Sequence, residues 1–178
     1  GYKMPRPRRQ IYTMDQYLKN EKDGFISNNA GTQRNPKWKA IIDGLAITIL
    51  TDDYIPPIIL FEEECGQKTI VDGGSRTAAF RMLEAGNYKV KSSVDDPIIP
   101  YKKMEKGEDG KPVWTDAEFD IRNKTFNQFP EELKRKFYEY QVETVIHEGN
   151  ETIDVKAAHA KYLKRYNLQT GMSANEQL

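Results

Sequence analysis

Cysteine is almost missing from this chain: one residue, Cys65, among 178. A single thiol excludes an internal disulfide framework and a cysteine-rich zinc site, and it suits a reducing, cytoplasmic setting. Its flanks, FEEECGQK, are acidic, and acidic neighbours raise a thiol pKa instead of activating the sulfur, so no catalytic cysteine is expected. Net charge is missing too. Lys plus Arg number 27 and Asp plus Glu number 27, so no overall field draws the molecule to nucleic acid or a membrane, and any anion site must be local. Apolar runs stay far below the ~20 residues that cross a bilayer, and no signal-peptide pattern opens the chain, so no membrane partner is expected. The two histidines, His147 and His159, lie too far apart for metal-ligand spacing and read as structural or surface residues. No repeat, low-complexity tract or HNH-type nuclease signature is present.

What remains is enough for one core. The hydrophobic set makes up 38%, including ten Tyr, seven Phe and two Trp, and the length suits a single domain, residues 1–178. From Tyr2 to Gln10 the sequence YKMPRPRRQ is basic and broken by proline, which predicts a flexible surface arm over residues 1–10, with Arg6, Arg8 and Arg9 as candidate phosphate contacts. TMDQYLKNEKDG predicts a short helix with Thr13 as its N-cap and Gly24 past its end, and the polar FISNNAGTQRNPKWKA an irregular loop. Apolar residues Ile41, Ile42, Leu45, Ala46, Ile49 and Leu50 recur at helical spacing, so a helix is expected over about residues 37–51. YIPPIILFEE and QKTIVD predict strands, and SRTAAFRMLEAG a helix stopped by Gly86. The acidic run Glu62–Glu64 reads as a solvated turn between those strands.

Residues 88–127 lose any clear period around the turn KGEDGKP, as a hairpin-like insertion would. PEELKRKFYEY has Pro130 at a helix start with two glutamates in the first turn, and QVETVIHE predicts a strand. ETIDVKAAHAKYLKRYN places Val155, Ala158, Tyr162 and Tyr166 on one stripe, which predicts an amphipathic helix packed on the sheet. In the tail, Ser173 stands three residues before Glu176 in capping-box spacing, a helix barely begun, as in a fragment of a longer protein.

The chemistry concentrates at IVDGGSR, Ile70–Arg76, where a strand runs into a helix. Gly73 and Gly74 permit backbone angles closed to other residues and let a ligand approach the main chain. Free N–H groups at the next helix start form an anion site. Arg76 offers a planar donor fork for phosphate. Asp72 has the wrong sign to hold phosphate, which leaves three roles: metal ligand, water-orienting base, or partner that fixes Arg76. A plain tight turn with a capping serine has the same composition.

Order along the chain adds context: QRNPKW at Gln33–Trp38, IPPI at Ile55–Ile58, then DGGSR at Asp72–Arg76. In this order the elements resemble the N-terminal domain of GmrSD-type modification-dependent restriction endonucleases, whose Q-R-x-x-x-W, I-P-P-I and D-G-Q-Q-R motifs line a nucleotide site. The closing KRYNLQTGMSANEQL is similar to the family's last motif through Arg165, Asn167, Gly171, Ser173 and Glu176; residues 88–127 find no counterpart. The resemblance implies an α+β fold of the ParB/sulfiredoxin-like type, a small mixed sheet with packed helices. It also implies a nucleoside triphosphate as ligand, with Mg2+, and hydrolysis coupled to DNA restriction by a nuclease domain or subunit elsewhere, in a phage-defence setting. By carry-over Gln33, Arg34 and Asp72–Arg76 would bind nucleotide, Asp72 serving metal or water and Arg76 the phosphates. The family's paired glutamines read Gly74 and Ser75 here, so two amides that position water or phosphate are missing and binding is implied more directly than turnover. The alternative is a non-catalytic ParB-like module that binds DNA or a protein.

Overall fold

The computed structural model describes residues 6–28 and 37–148, with the backbone alone at 37–40. Its strands are β1 (Arg8–Thr13), β2 (Ile26–Ser27), β3 (Ile58–Glu62), β4 (Lys68–Asp72), β5 (Ile98–Lys106), β6 (Pro112–Asp120) and β7 (Gln141–Glu148). Four helices are described among them: α1 (Met14–Lys22), α2 (Lys37–Leu50), α3 (Gly74–Glu84) and α4 (Glu131–Glu139). The class is α+β. The main sheet is mixed, in the order β1-β7-β3-β4-β2, with β3 parallel to β7 and antiparallel to β4.

Local chemistry explains most boundaries. Thr13 caps α1 through a capping box with Gln16, satisfying donors that have no partner inside the helix, and Gly24 turns the chain beyond it at φ 87°. Pro56 and Pro57 stand immediately before β3, because a residue without an N–H cannot sit inside a central strand. The predicted hairpin over 88–127 is there: β5 and β6 form a separate two-stranded antiparallel sheet, and Gly110 N–H donates to Gly107 O across its turn. Its base enters the core through Ile99 and Ile121.

One face of each helix meets one face of the sheet. Met14 and Tyr17 of α1, Ile42, Ala46 and Ile49 of α2, Phe80 and Leu83 of α3, and Leu133 and Phe137 of α4 share a core with Ile58, Leu60, Ile70 and Ile146. Burying each such side chain contributes about 1.5–3 kcal/mol.

Three expectations need correction or redirection. Residues 8–10 are not a flexible arm, since they open β1, which pairs antiparallel with β7 from Arg8↔Ile146 to Thr13↔Gln141. Arg8 bonds Glu148 and Glu62, the latter at 2.5 Å, so it is committed to the sheet and not to a phosphate backbone; Arg6 and Arg9 are exposed. Glu62 is no solvated turn residue but the last residue of β3, paired with Arg8 and, at 3.3 Å, with Lys68; Glu63 and Glu64 form the turn. The expected helix at Glu151–Asn167 and the tail motif lie outside the described residues, as does His159, while His147 is buried in β7.

Candidate functional site

The D-G-G-S-R motif is one continuous strand-turn-helix. β4 ends at Asp72, Gly73 stands at φ 113° as the N-cap, and α3 begins at Gly74. That angle is reached without strain only by glycine. Space gives a second reason for glycine here: a Cβ on Gly73 would lie 2.5 Å from Ile58 Cδ1. Ile58 is the last residue of the I-P-P-I segment, so two motifs 14 to 18 residues apart in sequence are pressed together here.

The helical ladder of α3 opens with the Thr77 N–H donating to Gly73 O at 2.9 Å. Upstream of that first bond, the N–H groups of Gly74, Ser75 and Arg76 have no intrahelical acceptor, which is the arrangement that binds anions. Ser75 makes no capping bond: among the described residues no side chain caps α3. The turn is held from beneath, where Thr77 Oγ1 donates to Gly73 O at 2.9 Å and accepts from the buried Tyr17 hydroxyl at 2.7 Å. Burial, the dominant cause, pushes the Tyr17 phenol well above its ordinary pKa of 10.0, so this bond persists across the physiological range.

Arg76 does not present an open fork. It donates to Pro56 O, to Pro57 O at 3.5 Å and to Asp72 Oδ2 at 3.3 Å, and its side chain is only 16% exposed. Its work is to tie α3 to the two proline carbonyls at the entry to β3. Of the three roles open to Asp72, fixing Arg76 is the one the geometry displays. The carboxylate is still 40% exposed and can meet a ligand with its free lone pairs.

Gln33 and Arg34 lie outside the described residues. Asn28, five residues before Gln33 in the sequence, donates from Nδ2 to Gly74 O at 3.0 Å. Asn28 Oδ1 is buried with no hydrogen-bond partner, an acceptor held beside the start of α3. α2, which begins at Lys37, packs beside α3. Asn28, Thr77 and Tyr17 are the site residues that sequence reading missed. The spacing Gly73–Thr77, i to i+4 at a helix start, was the available signal for the second.

Among the described residues no three carboxylate, histidine or cysteine side chains cluster as a metal site, and no helix is long and apolar enough to cross a membrane. Cys65 is exposed, its thiol 3.9 Å from Glu63 Oε2. Set against family models, curated proteins and solved structures, the chain finds no match.

Proposed function

We propose that this domain binds a nucleoside triphosphate at the β4–α3 junction, as part of a restriction or phage-defence protein of the GmrSD type within the ParB/sulfiredoxin-like fold. One observation carries the reading: an uncapped helix start at Gly74–Arg76, opened by a glycine at φ 113°, with a half-exposed carboxylate beside it. Phosphate oxygens take the N–H groups of Gly74 and Ser75 and the Ser75 hydroxyl. Arg76 is a positioning residue, which sets the turn by holding Pro56, Pro57 and Asp72. Asp72 is the carboxylate that would hold a Mg2+ arriving with the nucleotide, an ion that typically takes one or two carboxylates and would neutralise phosphate charge. Asn28 Oδ1, buried without a partner, accepts from the ribose or base, and Gln33 and Arg34 keep the nucleotide-binding role that the resemblance implies.

Turnover is tested by phosphate release from each nucleoside triphosphate with Mg2+, in the wild type and in Asp72→Asn. Release that the variant loses supports a hydrolase that runs without the family's paired glutamines; binding without release reduces the site to a nucleotide sensor; absence of both removes the reading.

A second reading, an interaction module, is favoured by the hairpin. Trp114, Val113 and Met104 are 58%, 46% and 44% exposed on it, and a cleft of about 930 Å3 between hairpin and α4 is lined by Tyr101, Trp114, Glu132 and Arg135. Exposed apolar groups gathered on one projection mark contact surfaces. DNA as the partner predicts binding that weakens steeply with salt; a protein partner held by these side chains does not.

A further inference from the structure

The main sheet ends in β2 on one side and β1 on the other. β2 is only Ile26–Ser27, too short to guide another strand. β1 runs from Arg8 to Thr13, and among the described residues nothing pairs with its outer side. The register shows which backbone groups point there. Met14 N–H donates to Tyr140 O at 2.8 Å, and this pair continues the β1–β7 register that sets Gln10 opposite Thr144 and Arg8 opposite Ile146. In an antiparallel pair, opposed residues that exchange bonds alternate with opposed residues that do not. Arg8, Gln10 and Tyr12 therefore bond β7, while Arg9 and Ile11 turn their N–H and C=O groups outward. Thr13 belongs to the outward set as well, but its N–H is engaged by Gln16 Oε1 at 3.1 Å. Pro7, just before the strand, has no N–H to offer. The side chains of Arg9 and Ile11 line a groove of about 300 Å3 with Tyr54, Pro57 and Glu143, and Ile11 and Tyr54 are 56% and 67% exposed. Charges on an edge strand keep other strands away, yet Arg8 is already neutralised by Glu62 and Glu148. Neither Arg9 nor Glu143 has an ion-pair partner among the described residues.

We infer that β1 is an interface between two copies of this chain, which pair β1 with β1 antiparallel about a twofold axis at Gln10 and join their sheets edge to edge. Backbone, ends and charge all favour a second copy as the occupant. The axis sets Arg9 opposite Ile11 of the other copy, and these are the residues whose backbone groups point outward, so each pair exchanges both of its bonds. The ladder stops where Pro7 of one copy meets Thr13 of the other, the first lacking an N–H and the second having its N–H engaged. On the groove face the cross-strand row reads Arg9, then Ile11 and Glu143 of the other copy, since Ile11 stands opposite Glu143 within each chain. Arg9 and that Glu143 are two strand spacings apart, about 10 Å, a gap that an arginine and a glutamate side chain close together, and the symmetry makes the ion pair twice. No like charges oppose one another, because Arg8 faces Tyr12. One short strand from each copy is a small contact, so the dimer is a transient one that forms on concentration.

The test is sedimentation of the full 178-residue chain over a series of concentrations, where a monomer–dimer equilibrium is expected. Arg9→Glu and Glu143→Arg, both at exposed positions, each set like charges across the interface twice and are expected to weaken the dimer about tenfold or more. Combined in one chain, they restore it. Ile11→Pro removes an outward N–H and spares the ladder to β7, since proline is tolerated on an edge strand with its nitrogen toward solvent. It is expected to abolish the dimer without lowering Tm by more than about 5 °C. A wild type that stays monomeric at every concentration overturns the inference, as does a dimer that Ile11→Pro leaves intact or that the double charge reversal fails to restore. Should Ile11→Pro not fold, the charge reversals decide alone. A dimer lost in Trp114→Ala and kept in both single charge variants belongs to the hairpin and overturns the inference too.

Discussion

At Gly73 backbone angle and packing make the same demand, so the residue tests the turn without touching any ligand. Gly73→Ala combines a left-handed alanine with a clash against Ile58 Cδ1, and is expected to cost about 2–4 kcal/mol in urea unfolding. Gly24→Ala, also at positive φ but with nothing within 4 Å of its Cβ, should cost only about 1 kcal/mol. Equal losses would mean that Ile58 yields and that the two motifs are not pressed together. Sequence made the strand, the glycine turn and the neighbouring Asp72 and Arg76 legible, because those residue types are restricted by their own chemistry. It misjudged what Arg76 holds. Its acceptors are the carbonyls of Pro56 and Pro57, and a backbone carbonyl has no signature in a sequence, so an arginine tied to the main chain reads the same as one awaiting phosphate.

Elements with a cap or a helical period were readable from their own residues: Thr13 and Gly24 mark α1, the recurrence from Ile41 to Leu50 marks α2, and Gly86 marks the end of α3. β1 was not readable, because RRQIYT buries little and is a strand only through β7, more than 120 residues away. Its attachment includes a ladder of charges across four strands, Arg8 with Glu148 and Glu62, and Glu62 with Lys68. Burial opposes ionisation of Glu62, but the bond and charge of Arg8 and the charge of Lys68 outweigh it, so its pKa lies below the ordinary 4.5. A folded-state value below the unfolded one stabilises fully above the unfolded pKa and is lost as pH falls through the folded one. Urea midpoints should therefore decline as the pH is taken below about 4.5, and decline less in Glu62→Gln. An unchanged slope in that variant would remove the ladder from the account of acid stability.

Across the whole molecule the topology brings distant segments to one place. β7 enters between β1 and β3, which closes the sheet only after the hairpin and α4 have been made. The α+β class was legible because helical and strand periods alternate along the chain; strand order was not, since each pairing joins residues far apart. The sheet carries β4 to the start of α3, α1 supports that turn through Tyr17, and Asn28 bonds Gly74 O beside it. The central claim is that phosphate binds at this helix start, and it is tested most directly by thermal-shift titration with ATP, GTP, CTP and UTP, with and without Mg2+, on the wild type and Ser75→Asp. An aspartate in the first turn favours the helix by about 0.3–1 kcal/mol while repelling phosphate, so loss of binding in this variant cannot be loss of fold. At 100 times its dissociation constant a ligand adds about 2.7 kcal/mol, or roughly 5–10 °C for a chain of this size. The account predicts that shift for at least one nucleotide in the wild type and none in Ser75→Asp; no shift with any nucleotide, or the same shift in both proteins, would contradict it.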